Sequence, residues 1–168
     1  MKRAFLILGA ESSGTRYLTS LFVAAGFVGS ANHAQPTDLD EPTADCIVVR
    51  RSIPHGEKYP DLQILINRFQ SLGYTVIALV IHRDPTATLN SQVKNFVAID
   101  TIDDAWQRYQ KAYKHIYTAL ATTNICYLGI TYESLILNQQ GVLDGLNNLL
   151  DLTLTVLPVI NSNEKWYK

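Results

Sequence analysis

The chain has 168 residues, 47% of them hydrophobic and 17% charged, with a formal net charge of −1. That is the composition of an ordinary globular domain with room for a full apolar core, and one domain is the expectation. The near-neutral charge argues against a general nucleic-acid binder, so any basic site must be local. Lys2 and Arg3 precede only a short apolar run closed by Gly9 and Glu11, too short for a signal peptide or a membrane span. A cytoplasmic location is therefore expected.

In chain order, Ala4 to Leu8 reads as a buried strand. Gly14 to Ala25 reads as a helix, with Leu18, Leu21 and Phe22 at helical spacing and Gly26 as its stop. Between them, Gly9-Ala10-Glu11-Ser12-Ser13-Gly14-Thr15-Arg16 is a small-residue turn leading into a helix. This order suits a phosphate, because glycines let the backbone approach an anion and the N–H groups at a helix start point at it. The triphosphatase pattern G-x-x-x-x-G-K-[ST] is not met, since Thr15 and Arg16 follow Gly14.

Gly29 to Thr43, with Pro36, Pro42, Asp38, Asp40 and Glu41, reads as a long loop of the kind that often carries function. Cys46 to Val49 is the next strand, Pro60 to Leu72 a helix ended by Gly73, and Thr75 to Ile81 a fully apolar strand. Residues 86–95 and 103–121 read as helices, Ile125 to Ile130 as a fourth strand, and residues 141–150 as a helix. Apolar strands alternating with helices predict a three-layer α/β/α fold around a parallel sheet of four or five strands, and the turn at Gly9 to Arg16, which resembles a phosphate-binding loop, makes the P-loop type the expectation. Cys46 and Cys126 lie in apolar runs and read as core. No His/Cys spacing suggests zinc.

Arg83 falls at the carboxyl end of the third strand, where open α/β sheets bind ligands, and Ser91 lies about two turns into the next helix. An arginine fork and a hydroxyl together suit a second phosphate. Two anion grips imply a ligand with two phosphate positions.

These residues carry a family resemblance. The Gly9 to Leu18 loop resembles the 5′-phosphosulfate loop of sulfotransferases, P-K-S-G-T-T. Arg83 to Ser91 resembles their 3′-phosphate motif, R-x-P-x-x-x-x-x-S, with the same arginine-to-serine spacing. Tyr132-Glu133-Ser134-Leu135 looks like the family's Y-E-D-L segment. The resemblance implies 3′-phosphoadenosine 5′-phosphosulfate (PAPS) as donor, held by Ser12, Ser13, Gly14, Thr15 and Arg16 on the 5′ side and by Arg83 and Ser91 on the 3′ side. The implied reaction is sulfuryl transfer to a hydroxyl or amine of a small molecule or carbohydrate, with no metal required. Arg50 to Glu57 resembles the family's K-T-H-L-P region, whose histidine is the general base. Here Ser52 takes the histidine's place and His55 comes three residues later. His55 is the first choice of base because an imidazole titrates near neutral pH, and Glu57 the second, since glycan sulfotransferases use a glutamate. Ser12 stands where the family has lysine or arginine, which leaves three readings: Arg16, Arg50 or Arg51 supplies that cation from another direction, the nucleotide is bound without efficient turnover, or a different anion donor is used.

Two other readings stay open: a P-loop nucleotide or small-molecule kinase, and a non-catalytic nucleotide-binding module. His82 reads as packed or hydrogen-bonded at its strand end, and His33 and His115 as solvent-facing. Trp106, Tyr109, Tyr113 and Tyr117 share one helix face, with core packing as the default and an acceptor pocket as the alternative. The tail Asn161 to Lys168 reads as frayed or weakly docked unless it covers the nucleotide.

Overall fold

In a computed structural model of the chain, residues 1–32, 43–55, 57–96 and 98–166 are described. The order is β1 (Arg3–Ala10), α1 (Thr15–Ala24), β2 (Val28–Gly29), β3 (Cys46–Ile53), α2 (Leu62–Ser71), β4 (Thr75–His82), α3 (Pro85–Asn95), α4 (Ile102–Thr123), β5 (Cys126–Thr131), α5 (Tyr132–Leu137) and α6 (Gln139–Leu150). A 3-10 turn, Glu164–Trp166, lies near the end.

The strands form one five-stranded sheet, ordered β2-β3-β1-β4-β5. Every pairing is parallel, with Leu8 opposite Arg51 on one side and Val80 on the other. Because successive strand residues face opposite sides, Ala4, Leu6, Leu8 and Ala10 of β1 join the core under α2 and α4. Phe5 and Ile7 join the core under α1, α5 and α6. Both faces are covered, which explains the near-continuous apolar runs. On the α1 face, Phe5, Phe22 and Phe27 pack with centroids 5.0–5.5 Å apart.

Local chemistry sets the helix starts. Asp61, Asp84 and Thr101 each accept a backbone N–H three residues on, at the N-caps of α2, α3 and α4. Pro85 opens α3 at a position where its missing N–H costs nothing. Helix α1 differs: its N-cap is Gly14 in a left-handed conformation, with no side-chain cap and no acid in the first turn.

Several expectations need correction. Strand β3 runs four residues beyond Val49, so Arg50, Arg51 and Ser52 are strand residues rather than part of the following loop. The two-residue strand β2 begins just before the predicted Gly29–Thr43 loop and includes Gly29. Residues 33–42 of that loop, His33 among them, lie outside the described residues. Cys46 is half-buried and Cys126 is exposed rather than core, because Cys126 starts β5, an edge strand with one side uncovered. His115 is not simply solvent-facing: it is half-buried, with Nε2 2.8 Å from the Pro60 carbonyl oxygen and its ring edge-on to Tyr59.

His82 is held at the end of β4 as expected, its ring stacked on Tyr113 at 4.4 Å and Nε2 2.7 Å from the Tyr117 hydroxyl. Burial pushes its pKa below the ordinary 6.5. The unfolded chain therefore binds the His82 proton more readily than the folded one. The stability linked to this group is complete above pH 6.5 and is lost as pH falls from there through the lower folded value. Urea unfolding at about pH 7.5 and about pH 5 should show a steeper loss for the wild type than for His82→Gln. Parallel losses would contradict the assignment.

Candidate functional site

The carboxyl ends of β1, β3 and β4 open into a cavity of about 1300 Å³. Its floor is the loop between β1 and α1. Ser12 there has φ 68 and Gly14 φ 100, so the chain turns through two left-handed residues before α1 begins. Gly9 is required by close approach, since a Cβ there would stand 2.8 Å from the Ile81 carbonyl oxygen. The same loop is anchored at its base, where Glu11 N–H donates to the Ile53 carbonyl and Gln92 Nε2 donates to the Glu11 carbonyl at 2.8 Å.

Helix α1 thus presents its first-turn N–H groups without a side-chain cap, at the positive end of its dipole. Arginines gather at this same point. Arg16 in the first turn and Arg50 from β3 both line the cavity. Arg50 and Ser52 lie two apart on β3 and so share a face. The Arg50 guanidinium donates to Ser52 Oγ at 3.4 Å and to the Asn32 carbonyl at 3.5 Å. Its Nε is buried with no hydrogen-bond partner among the described residues. Burial, and then the nearby Arg16 charge, hold the Arg50 pKa below its ordinary value. Arg51 is pushed down to about 10 by burial and by Arg50. Like charges gathered at a helix N-terminus are unfavourable until an anion joins them.

Ser52 is buried and its hydroxyl lies 2.8 Å from that of Thr15, which ties the end of β3 to the start of α1. Thr15 is thus placed at the cavity with its hydroxyl already engaged. Ser13 sits behind the loop: its N–H donates to the Ala10 carbonyl, its Oγ is buried without a partner among the described residues, and it does not line the cavity.

On the opposite wall, Arg83 is buried above the Tyr132 ring, 4.9 Å from its centroid. Its guanidinium donates to the Ser12 carbonyl at 2.8 Å, the Ser162 carbonyl at 3.0 Å and Asn163 Oδ1 at 2.6 Å. The tail is therefore docked through buried Asn163 rather than frayed, and Ser162 lines the cavity. Ser91 is buried on α3 and does not line the cavity; its Oγ accepts from Asn95 Nδ2 at 3.1 Å, and Asn95, one turn further on, does line it.

Of the candidate bases, His55 lines the cavity from an exposed turn closed by paired backbone bonds with Lys58. Glu57 is exposed on the same turn and does not line it. The four α4 aromatics do not line it either; Tyr113 is core, and Trp106 is 40% exposed. Sequence reasoning passed over Glu11, which lines the cavity with its carboxylate 2.7 Å from Arg108 of α4. It passed over Asn163 as well. Glu11 was visible inside the loop motif, but its partner stands 97 residues away. Among the described residues no group of three or more His, Cys, Asp or Glu could hold a metal ion, and no helix is long and apolar enough to cross a membrane.

No protein-family model matches the chain, and no curated protein matches it in sequence. Solved structures do match. The sulfotransferase domain from the curacin biosynthetic pathway superposes with a TM-score of 0.59 at 16% identity, covering 100% of this chain and 78% of that one. The sulfotransferase domain from the Synechococcus PCC 7002 olefin synthase gives 0.53 at 13% identity, over 100% of this chain and 79% of that one. The chain has the fold of sulfotransferase domains.

Proposed function

We propose that the protein transfers a sulfuryl group from PAPS to a hydroxyl or amine of a small-molecule or carbohydrate acceptor. The observation that carries this reading is the meeting of Arg16, Arg50 and the uncapped start of α1 in one cavity whose only lining carboxylate among the described residues, Glu11, is tied to Arg108. The buried Arg50 Nε and the clustered guanidiniums suit a ligand rich in phosphate and sulfate oxygens.

When bound, the donor supplies an activated sulfuryl group and a phosphate leaving group. The loop at Ser12, Gly14 and Thr15 lets its backbone come close to the 5′ end, and the α1 N–H groups face it. Arg50, with Arg16, stands where the cation missing at Ser12 is needed, and fixed donors at growing negative charge lower the barrier. Arg83 serves the 3′ phosphate. Ser91 acts behind Asn95 on that side. His55 takes the acceptor's proton on its imidazole, with Glu57 on the same turn as the second candidate.

A kinase reading is disfavoured because Thr15, whose hydroxyl is held by Ser52, stands in place of the phosphate-gripping lysine and Arg16 in place of the magnesium-side hydroxyl. Calorimetric titration decides between them. 3′-Phosphoadenosine 5′-phosphate should bind in the presence of a chelator and more tightly than magnesium-ATP. The reverse order, or binding that a chelator abolishes, would overturn the proposal.

A further inference from the structure

Asn163 is buried, and its amide is used in both directions. Oδ1 accepts from Arg83 Nε at 2.6 Å, while Nδ2 donates to Glu133 Oε1 at 2.7 Å. The same Glu133 oxygen accepts the Asp84 N–H at 3.0 Å. The bonds close a circuit from Arg83 through the tail and α5 back to Asp84, the residue after Arg83.

A guanidinium is a rigid planar fork, so acceptors at all three nitrogens fix the plane of the whole group. The two carbonyls on the terminal nitrogens, from Ser12 and Ser162, belong to the phosphate loop and to the tail. The Nε contact is the side-chain one, and it needs a residue that both accepts and donates. Asparagine meets this requirement; an ionised aspartate does not, and would stand against Glu133.

We propose that Asn163 is a positioning residue that sets the Arg83 guanidinium for the donor's 3′-phosphate, so that the docked C-terminal segment determines the preference for a 3′-phosphorylated nucleotide. The inference rests on the donor assignment above and goes beyond it, since it places nucleotide selectivity in a segment about 80 residues from the arginine.

The test compares 3′-phosphoadenosine 5′-phosphate with AMP, which lacks the 3′-phosphate, by calorimetry on the full chain. Asn163→Ala should weaken the bisphosphate about tenfold or more, the scale of a lost hydrogen bond to a charged group. It should leave AMP within about twofold. Asn163→Asp keeps the side chain's shape and should lose the same preference. Lys165→Ala removes only a cation over the Trp166 ring, 4.8 Å from its centroid, and should keep the wild-type ratio. Equal weakening of both nucleotides in the Asn163 variants would mean that the tail merely supports the fold, and an unchanged ratio would mean that Asn163 does not act on Arg83; either overturns the proposal. If the wild type itself shows no preference for the bisphosphate, the donor assignment falls first and this inference with it.

Discussion

Arg50→Ala is expected to weaken 3′-phosphoadenosine 5′-phosphate binding about 10- to 100-fold, the range for losing a charge-assisted hydrogen bond. The free protein should meanwhile be at least as stable as the wild type. The two effects share one cause. Arg50 is half-buried, has a buried Nε without a partner among the described residues, and faces Arg16 near the positive end of α1. In the free protein these are costs, and removing the side chain relieves them; with an anion present the same positions become attractive. Once an acceptor is known, turnover should fall further, by about 10²–10³, as when a fixed donor to developing charge is removed. Thermal unfolding and titration of the one variant check both halves. A variant that is clearly less stable yet binds normally would show that Arg50 is a structural residue.

Gly14→Ala should destabilise the protein by about 2–5 kcal/mol, from about 1–2 for a left-handed backbone and about 1–3 for overpacking. The backbone is at φ 100, and a Cβ would stand 2.5 Å from Cδ2 of Tyr132. That ring is buried and lies under Arg83, so it cannot move without disturbing the opposite wall of the cavity. Nucleotide binding should therefore be lost along with stability. Urea unfolding measures the first effect. Combining Gly14→Ala with Tyr132→Leu should recover part of the loss, because the two residues are in contact and their effects are not additive. A loss below about 1 kcal/mol for Gly14→Ala alone would show that the loop has room to relax.

The turn from β1 into α1 was legible because everything that makes it is local: an apolar strand, Gly9 and Gly14 at constrained points and a helix start. The parallel sheet was legible for the same kind of reason, since runs buried on both faces are continuous in sequence. The end of β3 was harder to read. Arg50 and Arg51 look like loop residues, yet a strand keeps its pairing while its last side chains reach a cavity. The cysteines misled in the opposite direction: an apolar run does not say whether its strand is central or at an edge, and Cys126 falls at the edge.

The candidate site divides along the same line. Gly9, Gly14, Thr15, Arg16, Arg83 and the turn carrying His55 could be placed from motif order, because each sits at a strand end that the α/β pattern locates. What Arg83 touches could not be, since Ser162 and Asn163 lie about 80 residues away and their polar pattern alone reads as a frayed or weakly docked terminus. Glu11 with Arg108, Ser52 with Thr15 and the meeting of Arg50 with Arg16 likewise exist only when separate elements are brought together. By itself the sequence determined the layered fold and the glycine-bearing turn from β1 into α1, because backbone conformation and hydrophobic period act over a few residues. The tertiary structure alone decided which charges meet and which polar groups are buried together, because hydrogen bonds and desolvation depend on distance in space rather than along the chain.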